Sequence, residues 1–338
     1  MTPETFAEKV DQFSLLVDEE LARLIMVRRP IPNLHDGMAY ALGLDSEDRK
    51  VRGKRLRPVL CLATAEALGV PIRRAMRFAC AIEMLHNFAL VHDDIEDGDT
   101  VRRGRPCTHL VHGLAHGINI GDYMLSRVFI LIHEDPENDA DTRHRLIEQL
   151  DRTLENLFGG QALDISARES RSYTLREYER TVAMKTGSYL AAPILGGAMI
   201  AGAGIGTLDA LSDYGRALGP LFQVKDDIID LTTGKGRGHT GNDIREGKRS
   251  YLVAAALETC APVDRERLYD ILDRPREQTT DADVAWAVDL FQRSGAMTRA
   301  EDYCATLQRQ AVDSLAALPA KLRSVLEAAT DHMLKRTT

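Results

Sequence analysis

The sequence contains few aromatic residues, no excess of basic residues and no closely spaced pair of cysteines. Phenylalanine, tyrosine and tryptophan make up only 5% of the 338 residues. The formal net charge of −8 lacks the basic excess typical of a general nucleic-acid surface. The five cysteines are far apart and include no CxxC pair, which argues against a disulfide framework or a zinc site. We therefore expect a cytoplasmic protein with reduced thiols that binds no nucleic acid.

Long apolar segments are also missing. The N-terminal stretch MTPETFAEKVDQF has acidic residues and no apolar centre, so it predicts no signal peptide. Residues 189–208 carry no charge and approach the length of a spanning helix, but five glycines and one proline weaken their hydrophobicity. A buried helix packed closely against its neighbours is the interpretation we favour, and we expect no stable membrane anchor.

Strand patterns and flexible linkers are hard to find, and helical periodicity fills the chain instead. Apolar residues recur three or four positions apart from the first segment onward. Helices are predicted near 4–26, 54–68, 72–97, 108–133, 140–159, 174–184, 187–203, 208–231, 249–259, 264–273, 282–294, 297–316 and 319–335. The pattern predicts an all-α fold, and the lack of linkers predicts a single domain over residues 1–338, built as one large helical bundle.

Two of the predicted helices end in matched clusters of aspartates. The first ends in DDIED (93–97) and the second in DDIID (226–230). The aspartates are Asp93, Asp94, Asp97, Asp226, Asp227 and Asp230. Residues i and i+4 share one face of a helix, and carboxylates at its C-terminus oppose the helix dipole. Both clusters therefore predict bound hard cations, and oxygen ligands without histidine or cysteine favour Mg²⁺.

Basic residues surround both clusters. GKRLRP (53–58) precedes the first cluster, GDTVRRGRP (98–106) follows it, and a glycine-rich segment (232–248) follows the second. The candidate cations are Lys54, Arg55, Arg57, Arg102, Arg103, Arg245, Lys248 and Arg249. Arginine binds phosphate with a bidentate fork, and lysine acts as a point charge. One DDxxD alone is more often a solvated helix end, but two copies with these cations predict one diphosphate held through metals and a second held by cations alone.

At these residues the chain resembles the trans-isoprenyl diphosphate synthases, or polyprenyl synthetases. The resemblance covers about residues 52–250, and its motifs are highly specific as a set. They are GKRLRP (53–58), His86, DDIED with RRGRP (93–106), GGQALD (159–164), KTG (185–187), FQVKDDIID (222–230) and GNDIREGK (241–248). The resemblance implies the isoprenoid synthase fold, a large antiparallel helical bundle around a deep cavity, and a homodimer.

The resemblance also implies a role for each matched position. Three Mg²⁺ would be bound by Asp93, Asp97 and Asp226, with Asp94, Asp227 and Asp230 in support. The allylic diphosphate would be held by Arg102, Lys185 and Lys248. The diphosphate of isopentenyl diphosphate would be held without metal by Lys54, Arg57, His86 and Arg103. Thr186 and Gln223 would steady the allylic cation with their oxygen dipoles.

The implied reaction is a head-to-tail condensation by ionisation, condensation and elimination. The isopentenyl double bond would attack the allylic cation, and the released diphosphate would accept the departing proton. One position departs from the family pattern, which has a lysine near His239. Here the corresponding lysine stands earlier in the loop, so Lys235, Arg237 or His239 is the candidate for that contact.

Product length is expected to depend on the residues below the first aspartate cluster. Helix geometry places Ala89, four residues before Asp93, more directly beneath it than Phe88, and the resemblance points to Phe88, at the fifth position, as a gate. Five residues correspond to about 7.5 Å of helix, a suitable depth for a floor. We predict geranylgeranyl diphosphate (C20) as product, with farnesyl diphosphate or a longer chain as alternatives. A phenylalanine that only packs in the core is the competing interpretation for Phe88.

Two further alternatives share the predicted fold. A metal-dependent terpene cyclase would carry one aspartate-rich motif with an Asn/Ser/Glu triad, and a regulatory subunit usually loses an aspartate cluster. Both clusters are present here, together with the isopentenyl-type cations Lys54, Arg57 and His86. These residues favour the catalytic synthase.

Overall fold

Helices account for nearly all of the regular structure in the computed structural model, which describes residues 1–26, 28–232 and 240–334. They are α1 (Pro3–Ile25), α2 (His35–Leu42), α3 (Leu56–Ala67), α4 (Ile72–Glu96), α5 (Thr108–His112), α6 (Leu114–His133), α7 (Ala140–Ala167), α8 (Leu175–Val182), α9 (Ser188–Ile200), α10 (Ile205–Thr232), α11 (Asn242–Arg245), α12 (Tyr251–Thr259), α13 (Pro262–Leu272), α14 (Asp281–Arg293), α15 (Ala296–Ser314) and α16 (Ala320–Leu334). A two-residue hairpin, β1 (Val101–Arg102) with β2 (Arg105–Pro106), follows α4. The all-α prediction is confirmed.

The elements differ from the predicted ones where the chain is short or glycine-rich. The short helices α2 and α11 offer too few turns for a periodic signal and were not predicted. The helix predicted over 108–133 breaks at Gly113, whose φ of 91° favours glycine. Helix α7 continues through GGQALD to Ala167, beyond the predicted end. A single π turn, Ala183–Gly187, joins α8 to α9 where a gap was predicted.

The Cα positions form two compact units. The first unit contains Met1–Asp151, Ala192–Asp209 and Ala317–His332, and the second contains Arg152–Ala191 and Ala210–Ala316. The first aspartate cluster thus belongs to the first unit, and the second cluster belongs to the second. One domain over residues 1–338 stays a prediction.

Small residues of α9 allow close helix packing in the first unit. A Cβ atom at Gly196 would lie 1.9 Å from the Phe78 ring, and one at Gly197 would lie 2.5 Å from the Cys61 carbonyl oxygen. Residues 189–200 of the uncharged segment are therefore in a packing helix, as its composition indicated, whereas residues 202–206 lie between this helix and the start of the next and are mostly exposed. Of the helices that the structure describes, none combines the length and the apolar character needed to cross a membrane.

Close packing in the second unit brings α10 against the π turn. A Cβ at Gly219 would lie 2.3 Å from the Gly187 Cα atom, so the two backbones touch. This contact fixes the KTG segment beside the helix that carries the second aspartate cluster. The rings of Tyr178, Tyr251 and Tyr303 pack in series nearby, with centroid separations of 5.6 and 5.1 Å.

Candidate active site

Exposure divides the aspartates of the first cluster into two kinds. Asp93 and Asp97 are partly exposed, whereas Asp94 is only 3% exposed. Arg102 donates from Nε to Asp94 Oδ1 at 2.8 Å and also through Nη2, and Nη2 lies 3.5 Å from Asp99 Oδ2. Burial raises the pKa of the Asp94 carboxyl, and the Arg102 charge opposes that rise. Part of the acidic charge in this segment is thus balanced within the protein.

The hairpin turn sends two adjacent arginines in different directions. Arg103 and Gly104 both have positive φ, 52° and 77°, as a two-residue type I′ turn requires. Arg102 returns to the end of α4, whereas the Arg103 guanidinium lies against Gly53 of the GKRLRP segment. A Cβ at Gly53 would approach the Arg103 Cζ atom to 2.8 Å, so a larger residue there would displace the guanidinium.

Three of the four residues predicted to hold isopentenyl diphosphate meet in the first unit. Arg57 Nη1 lies 3.3 Å from His86 Nε2. Burial, followed by the charges of Arg57 and Arg103, lowers the pKa of His86 well below 6.5. His86 is therefore neutral at pH 7, and its Nε2 accepts from the guanidinium. Lys54 is exposed on the segment just before α3.

Arg103 is a shielded cation whose hydrogen bonds go to neutral groups. Its Nη1 donates to the Val51 carbonyl oxygen at 3.3 Å and to Asn87 Oδ1 at 3.2 Å. Burial lowers the pKa of Arg103 to about 10. A cavity of about 330 Å³, which includes space open to solvent, is lined by Asn87, Arg102 and Arg103 among other residues. An anion that enters here meets a cation in a poorly solvated setting, where the attraction is strong.

The second cluster also divides by exposure, and the described hydrogen bonds to its buried carboxylates come from neutral donors. Asp226 is partly exposed, and Asp227 and Asp230 are 4% and 0% exposed. Asp227 accepts hydrogen bonds from the Tyr178 hydroxyl (3.0 Å), Gln223 Nε2 (3.0 Å) and the Tyr251 backbone N–H (3.1 Å). The Asp230 carboxylate accepts from the Asp243 backbone N–H at 3.0 Å. The buried carboxylates thereby fix α10 to α8, α11 and α12.

The π turn presents Lys185 beside α7. Its Nζ donates to Asp164 Oδ2 at 2.8 Å, and a Cβ at Gly160 would lie 2.4 Å from the Lys185 backbone nitrogen. The GGQALD and KTG motifs therefore contact each other. Gly160 allows the two backbones to approach, and Asp164 accepts a hydrogen bond from Lys185. Thr186 is 9% exposed in the same turn. Because Gln223 uses its amide nitrogen on Asp227, its amide oxygen points away from that carboxylate.

Lys248 lies in the segment after the second cluster, with Nζ 2.6 Å from Glu246 Oε2 and 3.7 Å from Asp243 Oδ1. It is partly exposed. The further candidate contact to the allylic diphosphate falls on Lys235, Arg237 or His239, which lie outside the described residues.

Three arginines that the sequence grouped with the diphosphate cations bind the protein itself, so the predicted diphosphate contact is wrong for the fully buried Arg55 and Arg249 and stays a prediction for Arg245. Arg55 is fully buried and pairs with Asp18 and Glu83. The other two, Arg245 and Arg249, donate to backbone carbonyl oxygens and to aspartates that lie later in the chain. Their positions in charged, glycine-rich loops do not distinguish them from phosphate-binding arginines, because their partners are distant in sequence.

The chain-length candidates occupy different faces of α4. One stripe of partly exposed positions near the cluster consists of His86, Ala89, Leu90, Asp93 and Asp97. Ala89 lies on this stripe. Phe88 is 3% exposed, and its ring packs edge-on against His92 at 4.8 Å between centroids.

The donor groups of both aspartate clusters have the chemistry that suits Mg²⁺. Within residues 1–26, 28–232 and 240–334, no group of three Asp, Glu, His or Cys side chains already forms a metal site. The partly exposed carboxylates are hard oxygen ligands at helix ends, where an ion can keep water and share phosphate oxygens. The donor chemistry therefore fits the predicted ion.

Four residues of these surroundings were not predicted as site residues. Asn87 follows His86 directly, and Asp164 ends the GGQALD motif, so both had a signal in the sequence. Glu83 lies one turn before Asn87 on α4, where its burial is a tertiary property. Tyr178 had no signal, because only the fold brings it to Asp227.

Comparison with known proteins agrees with this arrangement. Residues 47–291 match the family model described as polyprenyl synthetase. The chain is 35% identical over 288 residues to a short chain isoprenyl diphosphate synthase of Methanothermobacter thermautotrophicus, covering 84% of this chain and 86% of the relative. It is 34% identical to a geranylgeranyl diphosphate synthase of Methanosarcina mazei, covering 77% and 78%. The crystal structure of a Pyrococcus horikoshii geranylgeranyl pyrophosphate synthetase superposes with a TM-score of 0.88 at 30% identity, covering 98% and 99%.

Proposed function

Because the chain belongs to the polyprenyl synthetase family, we propose that it condenses isopentenyl diphosphate with allylic diphosphates and releases geranylgeranyl diphosphate. It is a trans-prenyltransferase with the isoprenoid synthase fold. The observation that carries the proposal is the set formed by Arg57, His86 and Arg103. A shielded arginine, a second arginine and a neutral histidine suit the diphosphate of isopentenyl diphosphate without metal.

The aspartate clusters support binding of the allylic diphosphate through metal. Asp93, Asp97 and Asp226 are the proposed Mg²⁺ ligands because they are partly exposed, and three ions per active site is the proposed number. Their buried neighbours Asp94, Asp227 and Asp230 hold the helix ends in place. When bound, Mg²⁺ neutralises negative charge that develops on the leaving diphosphate.

The protein's own cations complete that task. Arg102, Lys185 and Lys248 are proposed to bind the allylic diphosphate, with Lys235 as a further candidate. Stabilisation of the departing diphosphate lowers the barrier to ionisation because these cations are held in position before the charge develops. The carbonyl and hydroxyl oxygens of Gln223 and Thr186 are proposed to face the allylic cation, and the released diphosphate takes the proton lost on elimination.

Product length is proposed to follow from α4. Ala89 leaves space on the partly exposed stripe below Asp93, and Phe88, on the neighbouring buried face of α4, is the proposed gate beside that space. The names of the relatives include geranylgeranyl diphosphate synthases, which supports a C20 product. Farnesyl and geranylfarnesyl diphosphate synthases are also among the relatives, so a shorter or longer chain is the second candidate.

We also propose a homodimer and a cytoplasmic location. The five cysteines are unpaired, which is consistent with a reducing compartment. Sedimentation velocity of the purified protein would show a species of about twice the 37.5 kDa chain mass if the dimer forms.

The proposed function is tested by incubating the purified protein with isopentenyl diphosphate, Mg²⁺ and each of dimethylallyl, geranyl and farnesyl diphosphate. We expect a C20 alcohol as the main end product after dephosphorylation. The absence of elongation from every starter would contradict the enzyme assignment.

Two variants test the length determinant in opposite directions. Ala89→Phe is expected to shorten the product to C15 or less, and Phe88→Ala is expected to lengthen it. A product of unchanged length from both variants would contradict a floor on this part of α4.

A further inference from the structure

A buried carboxylate connects the two segments that carry the isopentenyl diphosphate cations. Glu83 on α4 is 2% exposed. Its Oε1 accepts from Arg55 Nη1 at 2.6 Å and from Asn87 Nδ2 at 2.8 Å. Arg55 belongs to the GKRLRP segment, and Asn87 reaches the hairpin through Arg103. Glu83 Oε1 is thus hydrogen-bonded to the GKRLRP segment directly and to the hairpin through Asn87.

The Asn87 amide is held in a single orientation. Its Nδ2 donates to Glu83 Oε1 and to the Glu83 carbonyl oxygen, both at 2.8 Å, so both amide hydrogens are used. Oδ1 therefore faces the other way and accepts from Arg103 Nη1 at 3.2 Å. Asn87 is 1% exposed, so its amide is held mainly by these protein partners. The orientation of Asn87 thereby sets where the Arg103 guanidinium lies.

Arg55 fixes the position of the GKRLRP segment, as Asn87 fixes that of Arg103. It has the left-handed φ of 48°, and its fully buried side chain also donates to Asp18 Oδ1 at 2.8 Å and to the Leu42 carbonyl oxygen at 2.6 Å. Lys54 and Arg57 flank it in the chain. Because Arg55 is fixed at both carboxylates, the backbone that carries these two cations is fixed as well.

The intervening amide also has an electrostatic consequence. A carboxylate in direct contact with Arg103 would compete with an incoming diphosphate for the same guanidinium. Asn87 instead presents a neutral oxygen and keeps the Glu83 charge one residue away, where it favours the charged form of Arg103 without occupying its donors. Arg103 thus stays charged and oriented while it can still bind an anion.

We propose that Glu83 and Asn87 are positioning residues for isopentenyl diphosphate, with Asn87 fixing the Arg103 guanidinium and Glu83 joining it to the GKRLRP segment. This inference rests on the proposed function, because it assumes that Arg103 contacts that diphosphate. Neither residue touches the substrate in this account. Their effect is on affinity for one of the two substrates.

The chain offers a matched control for Asn87. Asn138 is 4% exposed and also belongs to the first unit. Its Nδ2 donates to the Arg74 carbonyl oxygen and to Asp135 Oδ2, both at 2.7 Å, and its Oδ1 accepts from Arg74 Nη2 at 3.1 Å. Asn138→Ala therefore removes the same kinds of hydrogen bond as Asn87→Ala, away from the isopentenyl diphosphate cations.

The test is steady-state kinetics of Asn87→Ala and Asn138→Ala with each substrate varied in turn. For Asn87→Ala we expect KM for isopentenyl diphosphate to rise about 10–100-fold, the range typical of losing a partner that orients a binding group. KM for the allylic diphosphate and kcat should stay within about 3-fold of the parent protein. Asn138→Ala should change neither KM. Equal KM values for isopentenyl diphosphate in the two variants would overturn the proposal.

A double-mutant cycle shows whether the effect passes through Arg103. In an Arg103→Ala background, Asn87→Ala should add no further increase in KM for isopentenyl diphosphate, whereas independent effects would multiply. Glu83→Gln, which keeps an oxygen acceptor but removes the charge, is expected to raise the same KM by less than Asn87→Ala does. Multiplicative effects in the cycle contradict positioning through Arg103.

Calorimetric titration of isopentenyl diphosphate separates this inference from the proposed function. If the parent protein binds isopentenyl diphosphate without turnover, the proposed function fails, and weaker binding by Asn87→Ala alone still supports the positioning role. If the parent protein binds no isopentenyl diphosphate, both proposals are wrong.

Discussion

The two aspartate clusters have the same spacing in the sequence but different support in the fold. In both, the first aspartate is partly exposed and the second is buried. At the end of α4 the buried Asp94 is paired with an arginine, whereas at the end of α10 the buried Asp227 accepts only from neutral donors among the hydrogen bonds described above. The last aspartate also differs, because Asp97 is partly exposed and Asp230 is fully buried.

This difference shows how a repeated motif can serve two purposes. Two partly exposed carboxylates remain at the first cluster and one at the second, which agrees with the proposed ligands Asp93, Asp97 and Asp226. The cation beside Asp94 also reduces the local negative charge of the first cluster. The hydrogen bonds of Asp227 instead join three helices of the second unit, α8, α10 and α12.

The largest effects are expected for the partly exposed aspartates. Asp93→Asn, Asp97→Asn and Asp226→Asn should each lower kcat by at least about 10²–10³-fold, the size typical of losing one group that stabilises developing charge. The free energy of unfolding should change by less than about 1 kcal/mol, because these side chains are not buried. Turnover assays and urea unfolding of the same preparations measure both quantities.

Asp209→Asn is the control for that set, because Asp209 is an exposed aspartate on α10. Its activity and stability should match those of the parent protein. An active Asp226→Asn variant would remove the second cluster from the proposed metal site.

The next effect tests the arginine that is paired with Asp94 at the first cluster. Arg102→Leu should lower the free energy of unfolding by about 3 kcal/mol, because it leaves the Asp94 carboxylate buried without its partner. Adding Asp94→Asn should recover part of that loss. Urea unfolding of the two single variants and the double variant gives the coupling energy, and a coupling near zero would contradict the pairing.

A smaller effect is expected from the neutral support of the second cluster. Tyr178→Phe removes one hydrogen bond to the buried Asp227 carboxylate and should lower the free energy of unfolding by about 1.5–3 kcal/mol. Tyr251→Phe is the matched control, since its hydroxyl lies 3.4 Å from a neutral carbonyl oxygen. If the two variants lose equal stability in urea unfolding, the hydrogen bond to Asp227 contributes no more to stability than a bond to a neutral carbonyl oxygen.

The smallest effect concerns His86 beside the first cluster. The pKa of His86 is lowered well below 6.5 in the folded protein. Below about pH 6.5 the unfolded chain therefore binds a proton at this histidine that the folded protein does not bind. Stability from this group is therefore fully present above pH 6.5 and is lost as the pH falls through that window. His86→Gln should flatten the loss of stability in thermal unfolding from pH 7 to 5. An unchanged slope would show that folding does not lower the pKa of His86.

Local sequence patterns predicted the helices and the two aspartate clusters because both depend on the spacing of residues that are close in the sequence. The i, i+4 spacing of Asp93 and Asp97 sets a shared face without reference to the rest of the fold. Burial of Asp94, Asp227 and Asp230 depends on partners that the chain brings from elsewhere. Arg55 was grouped with phosphate-binding residues for the same reason, since its partner Asp18 lies 37 residues away.

The most direct test of the division between ligand and supporting aspartates is ligand-induced thermal stabilisation of two variants at adjacent positions. Asp93→Asn and Asp94→Asn are compared with the parent protein, with and without Mg²⁺ and an unreactive allylic diphosphate analogue. We expect Asp94→Asn to start from a lower Tm but to gain stability on ligand addition, as the parent does, and Asp93→Asn to start from the parent Tm and gain little. Stabilisation of Asp93→Asn equal to that of the parent, with none for Asp94→Asn, would contradict the account.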